Sequence, residues 1–398
     1  GPRPLALHLS IQTLSWISSL SALPNLKNGS LNWSPHQKSA ANDLTDALQH
    51  ISPDDFRSAV ENQSRLRLAE FARGVRAYRR YKRAPRPNEP CVIWSEGTTR
   101  LLDYGINGKG RPIMFVPSLV NRGYILDLGK RRSLLRDLAR RGFRPLLVDW
   151  GAPGKLEAGF LLDDYIGGRL VGALQAAHDL NNKPVALAGY CMGGLLTLAL
   201  AAIRPEQVSA QVLMATPRNF HAMSPDKTRM LAAMIPAIEN MLQITSTLPV
   251  DVLQSMFTIL NPQLTAIKFR AFAGLDKRSA KARGFVALED WLNDGIPLAG
   301  PTAKECLDGW YVKNNPGQGV WQVCGKNIRP EEINIPSLVI VPTLDHIVPR
   351  TSSLPLAEKL PDPNCLKIKA GHIGMVAGSR AKASLYDPLA EWLESTIP

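Results

Sequence analysis

The alternation of apolar and polar positions changes rhythm near Pro90. Beyond it, short aliphatic or β-branched runs bounded by Gly, Pro or charge predict strands at residues 112–116, 145–149, 184–188, 208–215, 337–341 and 366–369. Apolar spacings of three and four between those runs predict helices around 125–141, 161–180 and 195–203. Such strand–helix alternation implies an α/β fold, a mostly parallel sheet with helices on both faces. From 218 to about 330 the alternation gives way to helical patterns, which reads as an inserted helical cap, residues 216–330. Upstream, Leu7, Ile11, Leu14, Ile17 and Leu20 fall near helical spacing with Pro24 as a stop, while Leu5, Leu7, Leu9 and Ile11 also alternate as a strand would. A second helix is expected where LAEFARGVRAYRRYKR (68–83) runs up to Pro85 and Pro87. The chain divides on this reading into a helical N-terminal extension, 1–90, a core, 91–215 with 331–398, and the cap.

Composition leaves that picture intact, and charge refines it locally. At 398 residues, 45% hydrophobic and 20% charged, the chain has the apolar material for a large core, which excludes wholesale disorder and disulfide-stapled miniproteins. The formal charge is 47 − 34 = +13, and residues 65–86 hold nine basic side chains against one acid, Glu70. That stretch reads as a solvated basic face or as a contact for an anionic polymer or lipid surface. No zinc-finger, RNP or basic-zipper pattern accompanies it, so sequence-specific nucleic-acid recognition is not expected. The cysteines, Cys91, Cys191, Cys306, Cys324 and Cys365, lack CxxC spacing, so neither a metal site nor a disulfide framework is expected, and a reducing cytoplasm is the natural compartment. All but Cys191 are expected to be buried small hydrophobes. No apolar run is long enough for a spanning helix, and no secretory-signal order is present at the start.

The chemistry is concentrated in Gly189-Tyr190-Cys191-Met192-Gly193-Gly194, directly after one predicted strand and directly before a helix. Roughly 0.03 chance occurrences of G-x-C-x-G are expected in a chain of this composition. A nucleophile elbow with Cys in the usual Ser position is therefore the reading. Gly189 and Gly193 are needed because residues two before and two after the nucleophile crowd each other in so sharp a turn. The Met192 N–H becomes one oxyanion donor. A thiol nucleophile needs a base and an acid that orients it, in chain order nucleophile, acid, His. Asp345 follows the strand 337–341 and His372 follows the strand 366–369, which places both at the sheet edge that the elbow faces. Cys191, Asp345 and His372 are thus the expected triad, with His346 behind it or adjacent to substrate. The loop after 112–116 is expected to supply a second oxyanion donor, Val120 N–H.

Seven segments, in order, resemble the polyhydroxyalkanoate synthases of the α/β-hydrolase superfamily, most of all the short class III type. They are VPSLVNRGYILDL (116–128), VDWGAPG (148–154), LDDYIGG (162–168), GYCMGG (189–194), LEDWLND (288–294), DHIVP (345–349) and GHIGM (371–375). Family pattern departs at Ser118, where a second Pro is usual, at Val120, at Arg122-Gly123 and at Arg350. The resemblance implies an acyltransferase that polymerises (R)-3-hydroxyacyl-CoA through a covalent Cys thioester and releases CoA. The CoA thioester would be substrate, with no further cofactor. It also implies a polyester granule surface and a second synthase subunit or homodimer as partners. Lys268, Arg270, Lys277, Arg278, Lys281 and Arg283 could then face CoA phosphates or simply solvent. The alternatives are an intracellular polyester depolymerase or acyl-CoA thioesterase with the same triad, and a catalytically silent surface-binding protein.

Overall fold

The aliphatic runs beyond Pro90 line up in one eight-stranded sheet in the computed structural model, which describes residues 1–397 apart from 84, 88, 223 and 224. Its strands are β1 (Cys91–Glu96), β2 (Thr99–Asp103), β3 (Arg111–Val116), β4 (Phe143–Asp149), β5 (Val185–Tyr190), β6 (Val208–Met214), β7 (Ser337–Pro342) and β8 (Asn364–Ile368). Their spatial order is β1-β2-β4-β3-β5-β6-β7-β8. β2 runs antiparallel to both neighbours, and every pairing from β4 to β8 is parallel. Every residue of β5 and of β7 is buried, as a sheet covered on both faces requires. The order reverses beside β3, so the crevice at the carboxyl ends of β3 and β5 is where such a sheet binds ligands.

The hairpin β1–β2 is absent from the sequence-based expectation. β1 is an exposed edge strand with no buried residue, so its short Cys91–Trp94 run has no inward face to set an alternation, and Gly97 at φ 58° carries the tight turn into β2. The helix expected over 125–141 is shorter, Leu134–Arg140, because Ser133 caps it by accepting the Arg136 N–H at 3.0 Å.

One compact unit comprises Pro85–Leu253 with Asp290–Pro398 and contains the sheet; the other comprises Gly1–Ala84 with Gln254–Glu289. In the second lie α1 (Leu5–Leu20), α2 (Leu23–Lys27), α3 (Lys38–Leu48) and α4 (Pro53–Arg79). Pro24 does not stop a helix: it sits in the first turn of α2, where a missing N–H costs nothing. Residues 254–289, from the middle of the interval read as a cap, share a core with the N-terminal helices. Phe71, Val75 and Tyr78 of α4 pack with Phe269, Phe272, Ala282 and Val286. Phe269 meets Phe71 and Tyr78 edge-on, and Phe272 stacks on Phe285 at 4.3 Å.

Among the described residues no helix is long and apolar enough to cross a membrane. Of the four cysteines expected to be buried, only Cys306 is; Cys91 and Cys365 lie on the edge strands β1 and β8, and Cys324 sits in a tight turn at φ 49°.

At Gly74 a Cβ would stand 2.0 Å from the Phe269 carbonyl oxygen, so the two helix backbones touch there. Ala normally stabilises a helix relative to Gly by roughly 0.5–1 kcal/mol. Here Gly74→Ala is expected to do the opposite and to cost about 1–3 kcal/mol through overpacking. Urea denaturation checks the sign, and a raised midpoint contradicts this packing.

Candidate active site

β5 ends at Tyr190 and the helix Met192–Ile203 begins two residues later, so the whole reversal falls on Cys191. Its φ of 56° and ψ of −126° are conformations an L-residue adopts at a cost on the order of 1–3 kcal/mol, which the surroundings must hold in place. They do so through the Cys191 N–H, which donates to Met214 O at 2.8 Å, and the Cys191 carbonyl, which accepts from Gly194 N–H at 3.0 Å. Glycine is obligatory around the turn. A Cβ at Gly189 would lie 2.4 Å from Gly194 Cα, and one at Gly193 would lie 2.0 Å from Val116 O. The thiol itself is only partly buried.

Asp345 and His372 come from two further strand ends. Asp345 stands three residues beyond β7, its side chain wholly buried. Its Oδ1 accepts the Ile347 and Val348 N–H groups at 2.8 and 3.0 Å, and its Oδ2 accepts His372 Nδ1–H at 2.6 Å. The carboxylate is thereby fixed in orientation. His372 opens the short helix His372–Ala377 after β8, and its ring hydrogen-bonds the Cys191 sulfur. Because Nδ1 is taken by Asp345, Nε2 is the nitrogen left for the sulfur. Burial by itself lowers the affinity of this imidazole for a proton. The Cys191 charge and the hydrogen bonds to Asp345 and Cys191 outweigh it and raise the pKa to about 10. Cys191, His372 and Asp345 are therefore in contact as a chain of hydrogen bonds.

Met192 is the first helical residue after the turn, so its N–H has no intrahelical acceptor and stands beside the thiol. Val120 N–H is engaged: it donates to Ser118 Oγ at 3.2 Å. His346 is exposed and is not drawn into the hydrogen-bonded chain, since its neighbour Asp345 turns inward.

Two tyrosines beside the thiol are missing from the sequence-based set. Tyr190 lies against the His372 ring with centroids 5.1 Å apart, and its hydroxyl donates to His372 O at 3.2 Å. Tyr311 packs edge-on against Phe220, and burial first, then the Cys191 charge, pushes its phenol well above the usual range. Tyr190 occupies the variable elbow position, which its neighbours in sequence give no means of assigning. Tyr311 sits 120 residues away in a π-helical turn, Glu305–Val312, with no local signal.

The 116–128 segment at the mouth of the crevice is clasped by the end of the LEDWLND segment. Trp291 Nε1–H donates to Arg122 O at 2.7 Å, Tyr124 Oη donates to Asp294 at 3.0 Å, and Asn121 bridges to Gly295. Motifs 170 residues apart in sequence are thus one structural feature.

Residues 111–241 match the family model described as the alpha/beta hydrolase fold. The chain is 31% identical over 290 residues to the poly(3-hydroxyalkanoate) polymerase subunit PhaC of Allochromatium vinosum, covering 71% of this chain and 80% of that protein. It is 31% identical over 314 residues to the protein of the same name from Haloferax mediterranei, covering 77% of this chain and 63% of that one. A third, from Haloarcula marismortui, is 27% identical over 315 residues, covering 76% and 66%. The chain thus spans just under two-thirds of the length of the two haloarchaeal relatives. With the strand order, the cysteine elbow and this extent of identity in agreement, the chain belongs to the poly(3-hydroxyalkanoate) polymerase family, built on the α/β-hydrolase fold.

Proposed function

We propose that the chain polymerises hydroxyacyl groups delivered as CoA thioesters, with Cys191 carrying the growing acyl chain. The observation that carries this reading is the contact of the elbow thiol with a buried His372–Asp345 pair in a member of the polymerase family. In the first step Cys191 Sγ attacks the thioester carbonyl carbon, the bond to the CoA sulfur breaks, and that sulfur leaves with the proton held on His372 Nε2. In the second, the hydroxyl of a hydroxyacyl group attacks the Cys191 thioester. His372 takes its proton, the ester forms and the Cys191 thiolate is released. Exchanging one thioester for another is close to thermoneutral, so the acyl-enzyme stays reactive toward an alcohol, and exclusion of water keeps hydrolysis from winning.

The electrostatics of His372 suit both steps. While Cys191 is charged, it holds the imidazole protonated, as the first step requires. Acylation removes that charge, burial then dominates, and the ring gives up its proton and becomes the base of the second step. Met192 N–H is placed to stabilise the oxyanion, and Val120 N–H would join it only once Ser118 Oγ lets it go.

Incubation with 3-hydroxybutyryl-CoA is expected to give CoA and polymer. Cys191→Ala is expected to lose at least about 10⁴-fold in rate, and Asp345→Asn about 10²–10⁴-fold through the wrong tautomer. Free hydroxy acid without polymer would identify a hydrolase instead. In Cys191→Ala the His372 pKa, followed by NMR, is expected to fall by at least about one pH unit from its value near 10. The sign for stability follows from the same shift. A folded-state value raised above the ordinary 6.5 contributes in full below that pH and is lost as the pH rises through about 10. The stability of the wild type is therefore expected to fall across that window more steeply than that of Cys191→Ala, as read from denaturant midpoints.

A further inference from the structure

Three helices of the N-terminal unit enclose a second cavity of about 220 Å³. α1 contributes Gln12, Ser15, Trp16 and Ser19 from one face, α4 contributes Ser64, Arg67 and Leu68, and Gln263, Ile267 and Arg270 complete the third wall. No acidic residue lines it. In the cavity between Arg86 and Asp294, by contrast, Arg100 and Arg122 each face the carboxylate of Asp149.

The polar groups here are donors to spare. Neither Arg67 nor Arg270 has an ion-pair partner among the described residues. Three other basic residues of 264–289 are tied off, Lys268 to Glu289 at 2.6 Å, Lys277 to the carbonyls of Phe272, Ala273 and Leu275, and Arg283 to Arg278 O. Gln263 spans the groove, accepting from Gln12 at 3.0 Å and donating to Ser15 Oγ at 2.8 Å, which leaves the Ser15 hydroxyl proton free. Trp16 carries a buried indole N–H with no acceptor among the described residues, a state proteins rarely leave uncompensated. Two guanidinium groups contributed by different helices, with serine hydroxyls in the same lining, suit an acceptor with three or more oxygens around one centre; a carboxylate is satisfied by one guanidinium alone.

We propose that this groove binds the phosphate group of an anionic ligand, with Arg67 and Arg270 as its two charged arms. Its source is either a soluble phosphomonoester or a phospholipid headgroup, and both present the same chemistry to these walls.

Titration calorimetry of the full chain with inorganic phosphate tests it. Saturable binding is expected, weakened about tenfold or more in the Arg67→Gln/Arg270→Gln variant, each arm being a charge-assisted contact. An equal loss in Arg65→Gln/Arg76→Gln, which removes the same charge from α4 outside the groove, would overturn the proposal, as would absence of saturable binding in the wild type. Trp16→Phe, which keeps the ring and removes the N–H, is expected to weaken binding with an unchanged melting midpoint and gives an independent reading should the double variant misfold. Two further arms identify the source. Tighter binding of CoA than of dephospho-CoA, lost in the double variant, supports a soluble phosphomonoester. Retention on phosphatidic acid vesicles but not on phosphatidylcholine vesicles, lost in the same variant, supports a headgroup.

Discussion

The contact between Gly193 and the Val116 carbonyl is the constraint around which the catalytic unit is arranged. Because there is no Cβ at Gly193, the helix after the elbow can press its first turn against the end of β3. That approach brings the loop beginning at Pro117 against the elbow, where Ser118 Oγ lies 3.9 Å from Met192 Sδ. It also leaves Cys191 as the single residue in which the chain turns back, and hence the strained one. A side chain of any size at Gly193 would have to separate β3 from the helix. The Val116 carbonyl, the Met192 N–H and the Cys191 sulfur would then be drawn apart.

His372 gains from this arrangement a surrounding whose effect depends on what its neighbour carries. Asp345 cannot change its role, since both its oxygens are saturated by Ile347, Val348 and the imidazole itself. The variable element is the sulfur. The direction in which the proton affinity of this one buried ring is pushed thus follows the charge on the Cys191 sulfur.

Much of this was legible in the chain, for identifiable reasons. The five interior parallel strands, β3 to β7, are continuous aliphatic runs, because they are buried on both faces, and the elbow announces itself through glycines that no other residue can replace. Asp345 and His372 were readable because each follows such a run. The hairpin β1–β2 was not, since its outer strand has no buried residue to set a pattern. For Val120 the chain gave no sign that its N–H is taken, because the hydroxyl that occupies it belongs to Ser118, two residues away, and the direction in which that side chain turns is not written in local sequence. Tyr311 and the Trp291–Arg122 clasp depend on chain reversals over more than a hundred residues, about which local periodicity is silent. The cap was drawn as one interval because helical patterns do not declare their partners; the aromatic face of 264–289 found its partner in α4.

That last pairing has a temporal consequence. The apolar face of α4, with Phe71, Val75 and Tyr78, leaves the ribosome long before Leu264–Ala273 does. The gap from Arg79 to Leu264 is 264 − 79 = 185 residues. At roughly 5–20 residues per second that face waits about 10–40 s for its cover. Throughout that interval β1 to β6 are synthesised while the aromatic surface stays uncovered, and β7 and β8 follow only after its cover has been made. Until residues 264–289 emerge, α4 carries an uncovered aromatic face, and this is the interval in which the nascent chain is most exposed to association with other chains or with a chaperone.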